Sequence, residues 1–144
     1  AAHYDILTLN SASIPGLDFI STGGSLDRIA KTKTIADYDP AYKYLNVCVT
    51  AVENDSTCFK CVRTMLTLDA LGKLDKFSAV FDVQYYMNHR KKYIERMYAD
   101  GKFGNDESLL LLFPLFKSEL TIRVKISAII HKVQNAVRCR IFKR

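Results

Sequence analysis

Residues 58–77, CFKCVRTMLTLDALGKLDKF, decide how the rest of the chain reads. Phe59, Val62, Met65, Leu66 and the stretch from Leu68 to Leu71 recur at helical spacing and form one broad apolar side. Thr57 stands where an N-cap belongs, and Gly72 supplies a stop. A helix this apolar must be buried, so its neighbours have to provide the surfaces that cover it.

Downstream, the chain keeps offering helical material. KLDKFSAVFDV (73–83) is a short helical or irregular passage anchored by Leu74, Phe77, Val80 and Phe81. QYYMNHRKKYIERMYAD (84–100) predicts a polar-faced helix that buries Tyr86, Tyr93, Ile94, Met97 and Tyr98, and GKFGND (101–106) is expected to break it. ESLLLLF ends at Pro114, and a long final helix is expected over 116–138. Upstream, the texture differs. YDILTL (4–9), LDFIS (17–21) and above all YLNVCVTAV (44–52) read as short strands, with turn chemistry in NSASIPG (10–16). SLDRIAKTKTIADY (25–38) reads as a helix capped by Ser25, and Asp39-Pro40 opens a single helical turn through Tyr44. The expectation is a helix-dominated α+β fold, a few short N-terminal strands followed by a helical bundle, in one compact domain over 1–144.

Composition narrows the class. The chain has 144 residues, 49% of them hydrophobic, enough for one core and too few polar runs for disorder. Net charge is +6, but residues 117–144 hold eight Lys/Arg against Glu119 alone, so the remainder is close to neutral. The basicity therefore belongs to the terminal helix. There Ile122, Ile126, Ile129, Ile130, Val133, Val137 and Ile141 form a stripe that can pack on its own domain, on a partner or on an anionic membrane. HRKKYIER (89–96) reads as a solvated charged face, and no nucleic-acid partner is expected. No apolar run spans a bilayer, and a cytoplasmic, reduced setting fits the four cysteines. The start, AAHYDILTLN, has no initiator Met and enters directly into apolar segments, so a C-terminal fragment of a longer protein is expected.

Two stretches carry chemistry. Cys58-x-x-Cys61 lies at a helix start with Cys48 upstream; three sulfurs could converge on a metal, with Asp55 as the nearest fourth ligand. Small buried thiols are the plain alternative. FISTGGSLDR (19–28) joins an apolar run to a helix through a glycine pair, so Ser21, Thr22, Gly23, Gly24, Ser25, Asp27, Arg28 and Lys31 could contact an anion or form a mere turn. It matches neither the Walker nor the dinucleotide glycine pattern. Arg63 and Thr64, on the first turns after Cys58, could bind phosphate or carboxylate, or Arg63 could pair with an acid such as Asp69. His3, His89 and His131 have no ligand spacing or triad around them, and no catalytic residue stands out.

LNVC (45–48) followed by NDSTCFKCVRTMLTLDALGKLDKF (54–77) resembles the late portion of PP-loop (ATP pyrophosphatase)-like bacterial proteins, related to queuosine-precursor synthases and to enzymes encoded with surface-glycan genes. Their pattern is Leu-x-Val-Cys, a loop, Asn-Cys-Gly-x-Cys-x-x-Cys-x-Arg-Thr, an apolar helix and Gly. The resemblance covers about residues 17–85, with Cys48, Asn54, Cys58, Cys61, Arg63, Thr64 and Gly72 on matching positions and Asp55-Ser56 in place of Cys-Gly. It implies a zinc-binding knuckle, an upstream PP-loop-like domain that uses ATP to adenylate a substrate, and a small-molecule or sugar substrate. The loop Thr22-Gly23-Gly24-Ser25-Leu26-Asp27 departs from that superfamily's Ser-Gly-Gly-x-Asp-Ser, so ATP chemistry is not expected of this chain alone.

Overall fold

The computed structural model describes residues 5–20, 24, 26–104 and 106–141. Seven α-helices occur among them: α1 (Asp5–Ala12), α2 (Arg28–Ala36), α3 (Ala41–Tyr44), α4 (Phe59–Ala70), α5 (Val83–Gly104), α6 (Glu107–Leu110) and α7 (Ile122–Ile141), with a 3₁₀ turn at Leu74–Phe77. Helix dominates, as the sequence reading expects. The strands do not form among the described residues, where the only β pairing is an isolated bridge between Ile14 and Leu17.

Residues 5–9, expected as strand, are helical. A lone apolar run with no sheet to join leaves its backbone groups unpaired, whereas a helix satisfies them internally. Residues 45–48 are irregular for a different reason, because side chains replace the missing strand. Asn54 Oδ1 accepts from the Val47 and Cys48 amides at 2.9 and 3.2 Å, and its Nδ2 donates to the Leu45 and Val80 carbonyls at 2.7 and 3.1 Å.

α4 is the buried centre the opening stretch predicts. Cys61, Met65, Leu66 and Leu68 are buried on it. Its end is a Schellman turn: Gly72 has φ +65°, its amide donates to the Asp69 carbonyl, and the Lys73 amide donates to the Leu68 carbonyl, both at 2.9 Å. α5 packs against α4, α6 and α7, and its start is fixed by Asp82, whose carboxylate accepts from the Tyr85 amide at 2.8 Å. The expected break at 101–104 is the last turn of α5 instead. A Cβ on Gly101 would come within 2.9 Å of the Phe113 ring, so glycine here permits close approach of the 107–116 segment rather than a turn.

Phe77, Tyr86, Met97, Leu109, Leu112 and Phe116 are fully buried where these pieces meet. Each such side chain contributes about 1.5–3 kcal/mol on leaving water. α7 begins at Ile122, six residues later than expected, because the chain around Pro114 runs through successive tight turns up to Leu120. It is tied to α5 by Ser127 Oγ donating to Glu95 at 3.0 Å and by Lys132 Nζ donating to the Phe103 carbonyl at 3.1 Å. Among the described residues no helix is long and apolar enough to cross a membrane.

Candidate functional site

The irregular loop that replaces the expected strand builds the site. Asn54 folds the 45–58 segment back on itself, and Ser56, at φ +56°, turns it toward α4. Ser56 is buried, and its Oγ accepts from the Asp82 amide at 2.8 Å, so the turn is anchored to the start of α5. A left-handed serine costs about 1 kcal/mol that glycine would not. The hydrogen bond offsets that cost by a similar amount.

This path brings Cys48, Asp55, Cys58 and Cys61 together, with ligand atoms all within 4.8 Å of one another. The three thiols are free. Cys48 Sγ lies 3.8 Å from Cys58 Sγ. Two thiolates on one zinc at about 2.3 Å stand about 3.8 Å apart across a tetrahedral angle, so this pair already has the required span. The Cys61 sulfur and the Asp55 carboxylate lie within 4.8 Å of this pair. Cys58 caps α4, its sulfur accepting from the Cys61 amide at 3.4 Å, which replaces the Thr57 cap expected from the sequence.

The electrostatics suit a cation. The Thr50 hydroxyl, 3.1 Å from Cys48 Sγ, together with nearby backbone amides lowers the Cys48 thiol to about 6. The single Thr50 hydroxyl proton is shared between that sulfur and Asp55 Oδ2, while Asp55 Oδ1 accepts from the Thr57 and Cys58 amides at 2.9 and 2.8 Å. These donors hold the Asp55 carboxyl well below the usual carboxylate range, the Thr50 hydroxyl most of all. Burial pushes the Cys61 thiol up, a cost that a bound cation removes by taking the thiolate directly. A Cys₃Asp group of this kind could hold a metal ion such as zinc, with Thr50 orienting the carboxylate from outside the ligand shell.

The residues expected to contact an anion are distributed differently. Ser21, Thr22, Gly23 and Ser25 lie outside the described residues, and Gly24 sits in a turn. Asp27, not Ser25, caps α2, its carboxylate accepting from the Ala30 amide at 2.7 Å. Arg28 and Lys31 are exposed on α2. The Thr64 hydroxyl donates back to the Lys60 carbonyl at 2.9 Å. Arg63 does not pair with Asp69, which is held by Arg90 instead; its Nη1 donates to Ser108 Oγ at 2.8 Å and lies 3.9 Å from Asp106.

Because α2 packs on α4, the Arg28 charge reaches Arg63. Cys61 and Arg63, two residues apart on a helix of about 3.6 residues per turn, face nearly opposite ways. The thiol group therefore meets the 45–58 loop, and Arg63 meets α6. Ser108, Asp106 and Thr50 escaped the sequence reading. Asp106-x-Ser108 at a helix start was a capping signal that could have drawn attention to the first two; nothing in the sequence marks Thr50.

Comparison with protein-family models, with curated proteins and with solved structures finds no match to the chain.

Proposed function

We propose that this chain is a metal-organised, substrate-binding C-terminal domain of a PP-loop-like, ATP-dependent enzyme of bacterial surface-polysaccharide or modified-sugar metabolism, acting in the cytoplasm and not catalytic alone. The observation that carries the reading is the convergence of Cys48, Asp55, Cys58 and Cys61 on the very residues that resemble that family's cysteine pattern. Ser56 supports it independently. Its positive φ falls where the pattern has glycine, so the loop keeps the backbone of a knuckle although two side chains have changed. Zinc would be held by the three sulfurs and Asp55, and would fix the loop against α4.

The test is ligand-dependent stability. ATP or a nucleotide sugar at about 100 times its Kd stabilises a folded domain by about 2.7 kcal/mol. For a chain of this length that raises Tm by about 10 °C. The shift should disappear in Arg28→Ala, whose exposed side chain has no structural partner among the described residues. No shift with any nucleotide or nucleotide sugar overturns the reading.

A second reading, a non-catalytic module that docks through its basic C-terminal helix, is favoured by one observation. Val124 and Ala128 of α7 are buried, while Ile122, Ile126, Ile129, Ile130 and Val133 are 48–75% exposed. The apolar stripe thus faces away from the domain, with exposed Arg123, Lys125 and Lys132 flanking it. A second copy would bring like charges together, so the occupant that fits is an anionic membrane surface. On this reading the protein sediments with phosphatidylglycerol vesicles, and Ile126→Gln with Ile130→Gln abolishes that. Failure of the unaltered chain to sediment at low salt sinks it.

A further inference from the structure

Three lysines stand around one opening without a carboxylate to answer them. Lys102 in the last turn of α5, Lys117 in the segment before α7 and Lys125 on α7 are exposed and line the same open trough, about 600 Å³ in volume. None of them forms an ion pair among the described residues. Glu119, close in sequence to Lys117, is held by Arg90 instead. Like charges gathered at one place repel, and an anion seated between them removes that repulsion.

The floor between the lysines is apolar and already built. The Phe113 ring stacks on Tyr98 with centroids 5.2 Å apart, and Gly101 lets it sit close against α5. Leu120 and Leu110 complete the lining, the first half-buried and the second 39% exposed. A cationic rim over such a floor fits a molecule that joins an anionic head to hydrocarbon, and a free inorganic ion would leave the floor uncovered.

Charge and position narrow the head. Lysine ammoniums are compact point charges on flexible stems, suited to a group that offers oxygens in several directions. A phosphomonoester carries about −1.5 to −2 at pH 7, more than the single charge of a diester, so three lysines favour the monoester. Lys125 and Ile129 stand one helical turn apart on the same side of α7, and Ile129 is 48% exposed. The trough therefore opens beside the outward isoleucine stripe, at the level where headgroups lie when such a stripe enters the acyl region.

We propose that this trough binds the phosphomonoester headgroup of a diacyl lipid. Lys102, Lys117 and Lys125 hold the phosphate, and the first part of the acyl chains lies along Phe113, Leu110 and Leu120. The inference deepens the membrane-docking reading by naming the headgroup that α7 would bring within reach.

The experiment titrates the full chain by calorimetry with dihexanoyl phosphatidic acid, kept below its micelle concentration so that no membrane is needed. Glycerol phosphate serves as the probe without acyl chains. The lipid is expected to bind about 10-fold more tightly than glycerol phosphate, because burying a few methylenes supplies that factor. Lys102→Gln with Lys117→Gln is expected to weaken lipid binding about 10-fold or more, with Tm unchanged because both side chains are exposed. Lys91→Gln with Lys92→Gln removes the same charge from exposed positions of α5 outside the trough and is expected to leave binding as it was.

Undiminished affinity in the Lys102 and Lys117 variant, an equal loss in the Lys91 and Lys92 variant, or glycerol phosphate binding as tightly as the lipid overturns the proposal. If the chain sediments with phosphatidylglycerol vesicles but ignores the soluble lipid, the trough falls and docking through the stripe stands. If it binds the soluble lipid through Lys102 and Lys117 yet sediments with no vesicle, the trough stands and the docking reading falls alone.

Discussion

On the proposed zinc reading, stripping the metal with a chelator is expected to lower Tm by about 10 °C and to leave most helical signal in place. The size follows from linkage: a site occupied at about 100 times its Kd contributes about 2.7 kcal/mol, and each kcal/mol moves Tm by about 4 °C in a chain of this length. The sparing of the helices follows from where the core lies. Phe77, Tyr86, Met97, Leu109 and Phe116 pack among α4, α5, α6 and the turns around them; of the three thiols only Cys61 is buried in that core, while Cys48 and Cys58 border it. The 45–58 loop has little of this. Val49 and Val52 are exposed, and the loop is closed by Asn54, Asp55 and Ser56 hydrogen bonds, so a bound metal would be the strongest tie available to it.

Cys61→Ser should reproduce the chelator effect and abolish zinc retention, since Cys61 is fully buried at the centre of the group. Asp55→Cys should move the other way. A fourth thiolate in place of the carboxylate raises affinity for a soft, borderline cation, and zinc would then survive chelator concentrations that strip the natural chain. The deciding measurement is metal content after purification without chelator, set beside Tm. Zinc well below one per chain, with a Tm indifferent to added metal, would reduce these cysteines to small buried side chains.

Arg90→Ala is expected to cost about 3 kcal/mol, or about 10 °C in Tm. Arg90 on α5 joins two acids from elsewhere: its Nε donates to Asp69 on α4 at 2.7 Å, and its Nη2 donates to Glu119 at 2.8 Å while Nη1 meets the second oxygen of the same carboxylate. Tyr86 adds its hydroxyl to Asp69 at 2.8 Å. Removing the guanidinium strands two partly buried carboxylates at the junction of α4, α5 and the segment before α7, whereas Tyr86 can answer only one of them.

The same network gives a pH dependence of known sign. The Arg90 hydrogen bond holds the Glu119 carboxyl below its ordinary value. A depressed acid stabilises the fold above its unfolded pKa, about 4.3, and that contribution fades as pH falls through the lower folded value. Denaturant melts between pH 7 and pH 3 should therefore fall more steeply for the natural chain than for Arg90→Ala. Parallel curves would mean that the bidentate pair contributes nothing in solution.

The contrast between α4 and the 45–58 loop shows what one-dimensional information can carry. Apolar residues at helical spacing, a cysteine pair at the start and a glycine at the end are local facts, and α4 follows from them down to the left-handed Gly72. YLNVCVTAV has equally good local credentials as a strand, but a strand requires a partner, and no local pattern says whether one will arrive. Asn54 took that role through its side chain amide, a substitution invisible to propensity.

The isoleucine stripe of α7 shows the same limit from the other direction. Its amphipathic pattern and basic flanks are plain in the sequence, but a stripe specifies only that two faces differ. Val124 and Ala128, the small residues opposite, are what α5 accepts, because close helix packing favours short side chains at the crossing. The helical character of the chain, the thiol spacing and the concentration of charge at the end were thus fixed by residue order, since each depends on neighbours within about one or two turns. The meeting of Cys48 with Cys58, the gathering of Lys102, Lys117 and Lys125 around one trough and the outward turn of the stripe belong to the tertiary structure. Each depends on which distant surface arrives first to be covered, and that is settled only when the whole core packs.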